Sequence, residues 1–534
     1  MLALQNEISA LQIRIDAAVT VATAETVSFT AAELEGLSAA DLAGLDRDGE
    51  RYLVQKGDVG ALNDVVLTFA VKEATRKKAK FASSSLAQSD ITLITDLVRK
   101  RVELAKTLGY NTWADYRTAN NMAKTGATAS GFVNTVSDLL EPKMNAEIAA
   151  LMRYLQVGVN DDNGRIDSWD VNFFGNLYLR DTAVDFSSLK QYFPYDGVLN
   201  GMFRVYERTF GLKIEFVENP EAWHRDVRLV KISDAGGPND GKLVGYVYLD
   251  MFPRLAEGKF GDFESASIIS GKTLPDGTYR RPVAALICNF PVDADGTPEN
   301  LLYGDIDTLF HEFGHALHVV LGKARFASQT DFAVPKDFVE VPSTMSEQWR
   351  FDPAVFKLLA KPDPALTDAF VNDTIAAIKQ ADLAVKGLFY ERQFGYGKID
   401  FLLHLFTNVA DVPAADAPDN LVKQANDAMA ATYLPYPEGS STLTSFLHIL
   451  TLGYDGGYYG YAWSDSIVSE LAAVFNDPAN ALGYMNPDIG RRYRREILEP
   501  GASRDVNESV GAFTGHALDP ARRVFLVSLG VTLP

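Results

Sequence analysis

The chain has 534 residues, of which 47% are hydrophobic and 22% are charged, a composition typical of a globular protein with ample material for a core. Its 50 basic and 70 acidic residues give a formal net charge of −20, which argues against nucleic acid or an anionic membrane as a partner because both bind clustered Lys and Arg. The single cysteine, Cys288, excludes an internal disulfide, and its apolar neighbours predict a buried, unreactive thiol.

The first residues are typical of an amphipathic helix, with Leu4, Ile8, Leu11 and Ile15 on one face. They lack the basic and continuously apolar segments of a signal peptide. No apolar run in the sequence reaches the ~18 residues that suggest a membrane span. We therefore expect a cytoplasmic protein, and a periplasmic location stays open if an N-terminal segment is missing from the sequence.

Helical periodicity predominates over the first 205 residues. Residues 30–33 and 38–41 have the form of capping boxes, which precede helices. Apolar residues recur at helical spacing from Ser89, and a further helix is predicted over 130–155, which Pro142 would kink or divide. The acidic stretch 159–170 does not fit a calcium loop, because Val159 would occupy the first ligand position.

Four β-rich runs between residues 212 and 290 predict one small sheet: KIEFVE, VRLVKI, LVGYVYL and VAALICNF. Helical periodicity returns at Asp305 and continues to the end, so the predicted fold class is mainly α. The length alone would suit about three or four domains, but no flexible linker interrupts the chain. We predict one compact unit with a helical N-terminal region, 1–205, and a catalytic region, 206–534.

Three of the seven histidines fall within residues 311–318. On a helix, His311 and His315 lie on one face and can bind one tetrahedral Zn²⁺. Glu312 lies one position round the helix, where it can meet a water without being a ligand, as in the H-E-x-x-H motif of zinc peptidases. This motif is moderately specific, and the alternative is a helix with a polar face beside a core.

Spacing alone does not identify a third ligand. A metzincin would carry histidine at position 321 and a thermolysin-like protein would carry glutamate at 335, where this chain has Leu321 and Pro335. The acidic candidates that follow are Asp331, Asp337 and Glu340. A helix predicted over 337–349 would place Glu340 and Glu347 on a shared face.

Two long motifs resemble the thimet oligopeptidase and neurolysin family, which includes bacterial oligopeptidase A and dipeptidyl carboxypeptidase. The first is FHEFGHALH at 310–318, followed by DFVEVPS at 337–343 and EQW at 347–349. The second is HILTLGYDGGYYGYAW at 448–463, which is similar to the family's loop of His, Gly and Tyr. Weaker matches are MAKT, VYLDMFPR and GASRDV, so the resemblance extends over nearly the whole chain. Members usually carry a longer N-terminal helical region and a glycine in the loop between the zinc helices.

The resemblance implies one Zn²⁺ per chain, bound by His311, His315 and Glu340, with Glu312 as the general base. It also implies a prolate, largely helical body with a deep central channel, and zinc on the channel floor. Such a channel would admit short unstructured peptides, which are therefore the expected substrates, and we expect a monomer.

The second motif supplies the other predicted site residues. Tyr461 and Tyr454, with His448, match the family residues that stabilise the developing oxyanion. Tyr454 and Tyr458 are the predicted substrate contacts. The alternative is an aromatic core patch, which the interleaved glycines fit poorly because glycine loosens the backbone.

Further polar residues have competing interpretations. Asp307 and Glu347 would orient the imidazoles or be simple solvated acids. His318 and His224 are predicted to be structural. The strand at 284–289 would pair with an extended substrate or be a plain buried strand.

The predicted function is a zinc peptidase that acts on short peptides, with release of C-terminal dipeptides favoured slightly over internal cleavage. Two other classes remain open from the sequence. One is a zinc hydrolase of a non-peptide amide, and the other is a catalytically silent peptide-binding protein, against which the intact Glu312 argues.

Overall fold

The computed structural model describes residues 1–155, 163–182, 186–254, 259, 263–293, 296–519 and 521–533. Part of the stretch for which a calcium loop was rejected, 159–170, lies outside the described residues. The chain forms two compact units, one of residues 1–183, 381–462 and 529–534 (unit 1) and one of residues 184–380 and 463–528 (unit 2). The predicted division at residue 205 stays a prediction.

Helices predominate throughout, which confirms the mainly α fold class. The described α-helices are α1 (Leu2–Thr23), α2 (Ala39–Ala43), α3 (Leu67–Phe69), α4 (Glu73–Ser83), α5 (Ile91–Thr107), α6 (Trp113–Thr118), α7 (Gly126–Leu151), α8 (Val171–Thr182), α9 (Phe186–Leu189), α10 (Tyr195–Phe210), α11 (Tyr303–Leu321), α12 (Val341–Glu347), α13 (Pro353–Leu359), α14 (Asp368–Leu383), α15 (Lys386–His404), α16 (Leu421–Thr432), α17 (Leu447–Leu450), α18 (Gly460–Phe475), α19 (Pro487–Tyr493), α20 (Val506–Thr514) and α21 (Arg523–Ser528). In the part of the chain that the structure describes, no helix has both the length and the apolarity to cross a bilayer.

The strands form three small sheets. They are β1 (Thr26–Thr30), β2 (Asp46–Asp48), β3 (Arg51–Gln55), β4 (Leu212–Phe216), β5 (Arg228–Asp234), β6 (Leu243–Asp250), β7 (Glu264–Ile269), β8 (Lys272–Thr273), β9 (Tyr279–Arg280) and β10 (Val283–Ile287). The orders are β1-β3-β2, β4-β5-β6-β10-β7 and β8-β9.

Unit 1 is built on the helices that the sequence predicts. The amphipathic α1 buries Ile8 and Ile15 in the same core cluster as Val98 and Val102 of α5. Burial of such a stripe is the main source of helix stability in a folded protein. The α7 helix runs without a break through Pro142, so the proline does not divide it.

The sheet β1-β3-β2 was not predicted from the sequence, although the region around it is mostly helical as expected. Thr30 and Glu33 do make the reciprocal bonds of a capping box, Thr30 N to Glu33 Oε2 at 2.7 Å and Glu33 N to Thr30 Oγ1 at 3.2 Å. A turn follows instead of a helix, because these bonds also close a turn at the end of β1. At Ser38, by contrast, the predicted capping box does begin α2.

Unit 2 places its largest sheet against the histidine helix. The four predicted runs correspond to β4, β5, β6 and β10, and β7 completes the sheet. β10 runs parallel to β6 and antiparallel to β7, and α11 packs on β6, β7 and β10. Aromatic rings also pack on α11, where Tyr206 stacks on Phe313 with ring centroids 5.5 Å apart.

Candidate active site

Two histidines of α11 meet one carboxylate of the next helical segment in unit 2. His311 Nε2 lies 3.5 Å and His315 Nε2 lies 3.2 Å from Glu340 Oε2. One ligand atom from each residue lies within 4.8 Å of the others. Two imidazole nitrogens and one carboxylate oxygen are a donor set that Zn²⁺ takes in catalytic sites. The structure therefore brings together the three residues predicted as metal ligands.

A close approach of α11 and α12 puts Glu340 in this place. A Cβ added to Gly314 would lie 2.5 Å from Ser346 Oγ and 2.9 Å from the carbonyl oxygen of Pro342, so only glycine allows the two helices this separation. The predicted helix start at residue 337 is wrong. Residues 337–340 form a turn, and Glu340 is the N-cap of α12, because Pro342 suits the first turn of a helix and not its interior.

Glu347 lies behind His311, with Oε1 2.7 Å from Nδ1. That contact fixes the ring and leaves Nε2 facing Glu340. Burial would lower the pKa of His311, but the hydrogen bonds and charges of Glu340 and Glu347 outweigh burial and raise it to about 10. Burial likewise would raise the pKa of Glu340, and the two imidazoles lower it well below its usual range. The two carboxylates thus favour a cation beside these rings.

The other predicted orienting residue, Asp307, forms an ion pair with Arg350 at 2.5 Å. Its role in orienting the imidazoles stays a prediction.

We expect Glu347→Gln to lower the Zn²⁺ affinity about 10-fold or more, because loss of such a supporting carboxylate typically costs 10- to 100-fold. Competition with a fluorescent chelator measures the change. Glu508→Gln, at an exposed position of unit 2, is the matched control and should leave the affinity unchanged. If both variants bind Zn²⁺ with the same affinity, Glu347 does not support the metal ligands.

Glu312 is nearly buried, with 7% of its surface exposed. Ser265 Oγ donates to Glu312 Oε2 at 3.0 Å and lies 2.7 Å from the Glu312 carbonyl oxygen. Ser265 was not predicted from the sequence. The only indication there is that the run ESASII, which precedes the histidine cluster, contains small polar residues. Its strand, β7, forms one end of the sheet order.

The strand at 284–289 cannot pair with a substrate, which corrects that interpretation. β10 is already paired with β6 on one side and with β7 on the other. The plain buried strand is the correct alternative, and Cys288 at its end is fully buried as predicted. Burial, together with the nearby Glu312 carboxylate, raises the pKa of the Cys288 thiol well above its usual range.

His318 has the buried position predicted for it, and the structural role of His224 stays a prediction. His318 is 1% exposed, and burial lowers its pKa to about 3, so its ring is neutral. Within the described residues neither ring nitrogen of His318 has a hydrogen-bond partner. His224 Nδ1 accepts a hydrogen bond from the backbone N–H of Asp226 at 3.2 Å.

A second group of predicted site residues comes together in unit 1. Tyr454 and Tyr461 stack with ring centroids 5.1 Å apart, and Tyr458 meets Tyr461 edge-on at 5.4 Å. His448 lies 5.9 Å from the rings of both Tyr454 and Tyr458. Burial lowers the pKa of His448, which favours the neutral imidazole at pH 7. The structure brings the four residues into one cluster, and their catalytic and binding roles stay predictions.

Comparison with known proteins identifies the family. Residues 66–523 match the model of peptidase family M3. The chain belongs to this family. The family resemblance drawn from the two motifs is confirmed.

Two relatives show how far the likeness extends. Saccharolysin of Saccharomyces cerevisiae is 30% identical over 484 residues, which cover 87% of this chain and 65% of the relative. A thimet-like oligopeptidase of Dictyostelium discoideum is 30% identical over 488 residues, with 88% and 69% covered. The chain thus spans about two thirds of the length of these curated relatives. The crystal structure of a protein from Chlamydophila abortus shares the fold, with a TM-score of 0.54, 12% identity, and 99% of this chain and 74% of that chain covered.

In this M3-family chain, a buried carboxylate shapes the tyrosine segment. Asp400 of α15 accepts hydrogen bonds from the backbone N–H groups of Gly456 at 2.8 Å and Tyr458 at 3.0 Å. Its Oδ1 also lies 2.7 Å from His404 Nδ1. Gly456 has φ of +69°, a conformation that glycine adopts without strain. The segment therefore turns where Asp400 can bind two of its amides.

A second buried network holds the start of the same segment. Arg101 donates to the carbonyl oxygens of Ile449 at 2.8 Å and Leu450 at 2.6 Å. Asp455 accepts from Trp113 Nε1 at 2.6 Å and lies 3.2 Å from Arg117 Nε. Burial would raise the pKa of Asp455, but the charges of Arg101 and Arg117 outweigh it and lower the pKa. Four residues of these networks were not predicted from the sequence: Asp400, His404, Arg101 and Asp455. Apart from the pair Asp400–His404, their partners are distant in the chain.

Proposed function

We propose that this chain is a zinc-dependent peptidase that hydrolyses short unstructured peptides. The observation that carries the proposal is the convergence of His311, His315 and Glu340 within 4.8 Å, with the nearly buried carboxylate of Glu312 next to His311 in the same helix. Membership of a peptidase family supports the same reaction. We extend the activity of the longer relatives to this chain as part of this proposal.

The residues present fit Zn²⁺ by the chemistry of their donors. His311 and His315 can each offer Nε2 and Glu340 can offer Oε2, which makes three protein ligands, the number that leaves a position free for a substrate or water. Bound Zn²⁺ would supply Lewis acidity toward the scissile carbonyl and the attacking water. Glu347 keeps Nδ1 of His311 engaged, so Nε2 is the nitrogen available for the metal.

Glu312 moves the proton in the proposed reaction. Its Oε atoms accept the proton of the attacking water and then deliver it to the nitrogen of the leaving amine. The Ser265 hydroxyl holds Oε2 by a 3.0 Å hydrogen bond, which fixes the direction of the carboxylate. A base held in one orientation needs no reorganisation at the moment of reaction.

The tyrosine cluster would stabilise charge and hold the peptide. Tyr461, with Tyr454 and His448, is proposed to donate hydrogen bonds to the oxyanion that forms as water attacks. Tyr458, which is 8% exposed, donates to Gln393 Oε1 at 2.8 Å, and it is proposed to contact the substrate. These roles come from the family resemblance, and the clustering of the four rings supports them.

A peptide ladder tests the proposal directly. Short unstructured peptides should be cleaved by the zinc-loaded chain, cleavage should stop with a chelator, and added Zn²⁺ should restore it. A folded protein should stay intact. Mass spectrometry identifies the bonds.

Two results would contradict the proposal. Zinc binding without cleavage of any peptide would indicate another substrate class, such as a non-peptide amide, or a binding protein. Rapid digestion of the folded protein would show that substrates are not limited to short, unstructured peptides.

A further inference from the structure

The two proposed histidine ligands are held in different ways. Nδ1 of His311 lies 2.7 Å from Glu347 Oε1, whereas Nδ1 of His315 is buried and has no hydrogen-bond partner within the described residues. The His315 ring packs edge-on against the rings of His311 and Phe332, with centroids 5.0 and 5.7 Å apart. Metal-binding histidines almost always engage their second nitrogen in a hydrogen bond, so packing has to orient this ring. His311 is fixed by Glu347, which leaves the position of Phe332 to be explained.

Phe332 lies in a tight turn of the connection between α11 and α12. The N–H of Ala333 donates to the carbonyl oxygen of Thr330 at 3.1 Å. Between them, Asp331 has φ of +58°, a conformation that glycine adopts freely and that Asp and Asn tolerate better than other residues. Members of the family usually carry a glycine in this connection, and the stretch 327–336 has none. Glycine would form the turn with less strain, so the backbone alone does not account for an aspartate here.

The carboxylate of Asp331 joins the turn to the sheet. Asp331 is 6% exposed, and Ser267 Oγ donates to its Oδ2 at 2.7 Å. Its Oδ1 is buried and has no hydrogen-bond partner among the residues that the structure describes. A positive φ and a buried, partly unsatisfied carboxylate both cost stability, and costs of this kind concentrate at functional sites.

The strand that holds Asp331 is the one that holds the proposed base. Ser267 follows Ser265 by two positions on β7, so both side chains lie on the same face of the strand. Ser265 Oγ donates to Glu312 Oε2 at 3.0 Å. One face of β7 therefore bonds both the proposed base and the turn that carries Phe332.

The connection is also anchored on either side of the turn. A Cβ added to Gly501 would lie 2.4 Å from the carbonyl oxygen of Gln329, so the backbone before the turn packs directly on this glycine. Beyond the turn, Ser464 Oγ donates to the carbonyl oxygen of Asp337 at 3.1 Å. With both flanks held, the bond to β7 determines where the turn itself lies.

We propose that the hydrogen bond between Ser267 and Asp331 positions His315, because it holds the turn that presents Phe332 to the imidazole. Asp331 and Ser267 are thus positioning residues, which act on the metal ligand through Phe332. When the bond is lost, the His315 ring gains alternative orientations and fewer molecules offer Nε2 to Zn²⁺. The apparent affinity falls in proportion to the competent fraction. The inference rests on the proposed zinc-dependent function.

Two substitutions of Asp331 separate the positioning role from the turn. Glycine relieves the positive φ but removes the acceptor, whereas asparagine tolerates this φ and keeps an oxygen for Ser267. In competition with a fluorescent chelator, we expect Asp331→Gly to bind Zn²⁺ about 5-fold more weakly, the factor that corresponds to one net hydrogen bond, and Asp331→Asn to stay within about 2-fold of the parent. Asp240→Gly is the matched control. It removes from the same unit an exposed carboxylate that accepts from the N–H of Gly236 at 2.7 Å, and it should bind Zn²⁺ like the parent.

Ser267→Ala tests the other half of the bond. It should weaken Zn²⁺ binding as much as Asp331→Gly does, and the double variant should bind no more weakly than either single one, because all three lack the same bond. Co²⁺ in place of Zn²⁺ reports the geometry of the ligands. Its visible absorption should change in Asp331→Gly and return to that of the parent in Asp331→Asn, which a purely structural role of the turn does not predict.

The unfolding temperature of each metal-free variant shows that it is folded, and if Asp331→Gly does not fold, Ser267→Ala replaces it in both measurements. Parent-like Zn²⁺ affinity in Asp331→Gly and Ser267→Ala would overturn the inference. So would additive losses in the double variant, or a loss in Asp331→Asn equal to that in Asp331→Gly. A parent that binds Zn²⁺ and cleaves no peptide would instead overturn the proposed function, and the metal affinities would still decide the role of Asp331.

Discussion

Glu312→Gln is expected to retain its zinc and to lose nearly all peptide turnover. The carboxamide keeps the size of the side chain and can still accept the hydrogen bond from Ser265 Oγ, which is 3.0 Å from Oε2 in the parent. It cannot take a proton from the attacking water. General bases contribute about 10²- to 10⁴-fold to rates, and we expect kcat to fall toward the upper end because no other carboxylate has been assigned this proton.

Metal analysis of the purified variant and single-turnover kinetics check this expectation together. His311, His315 and Glu340 supply the proposed ligands, so the zinc content should match that of the parent. Loss of zinc along with activity would show that Glu312 supports the metal and is not solely the base. A kcat reduced less than about 10-fold would reject Glu312 as the base.

The sequence was informative where the chemistry is local. His311 and His315 are four residues apart in one helix, so helical geometry alone predicts that they share a face. Glu340 was harder, because three acidic residues follow at plausible distances. The position of Glu340 depends on the tertiary contact of Gly314 with Ser346 and Pro342. From the sequence, only the family resemblance distinguished Glu340 from the other two acids.

The residues that support the predicted site residues could not be predicted from the sequence for the same reason. Ser265 reaches Glu312 across 47 residues of chain, and Asp400 reaches Tyr458 across 58. No local pattern marks such a pair. The only local sign of the Asp400 contacts was the Asp400–His404 pair, which is spaced four apart on α15 and is indistinguishable in sequence from an ordinary helix pair.

The missed sheet in unit 1 has a different cause. β2 is exposed along its whole length, and β1 buries only Phe29, so neither carries a strong alternation of apolar and polar residues. The capping-box pattern of Thr30 and Glu33 in the sequence then suggested a helix start. Short polar strands of this kind are stabilised by their neighbours and not by their own composition.

Tyr461→Phe is expected to lower kcat about 10²- to 10³-fold while KM changes little. The proposed hydroxyl donates to charge that is present only in the transition state, so its loss affects the chemical step more than ground-state binding. The ring itself stacks on Tyr454 with centroids 5.1 Å apart and meets Tyr458 at 5.4 Å. Phenylalanine keeps both contacts, so the cluster should retain its shape.

Tyr459→Phe is the matched control, because it removes a hydroxyl from the same segment at a residue that is 2% exposed and outside the predicted site. Asn121 Nδ2 lies 3.4 Å from that hydroxyl, so its loss should cost about 1 kcal/mol of stability and leave kcat nearly unchanged. Equal kcat values for Tyr461→Phe and the parent would assign Tyr461 to the aromatic packing. If both variants lose kcat to a similar extent, the loss comes from a disturbed fold of the segment. It could then not be assigned to a hydrogen bond that the Tyr461 hydroxyl donates to the oxyanion.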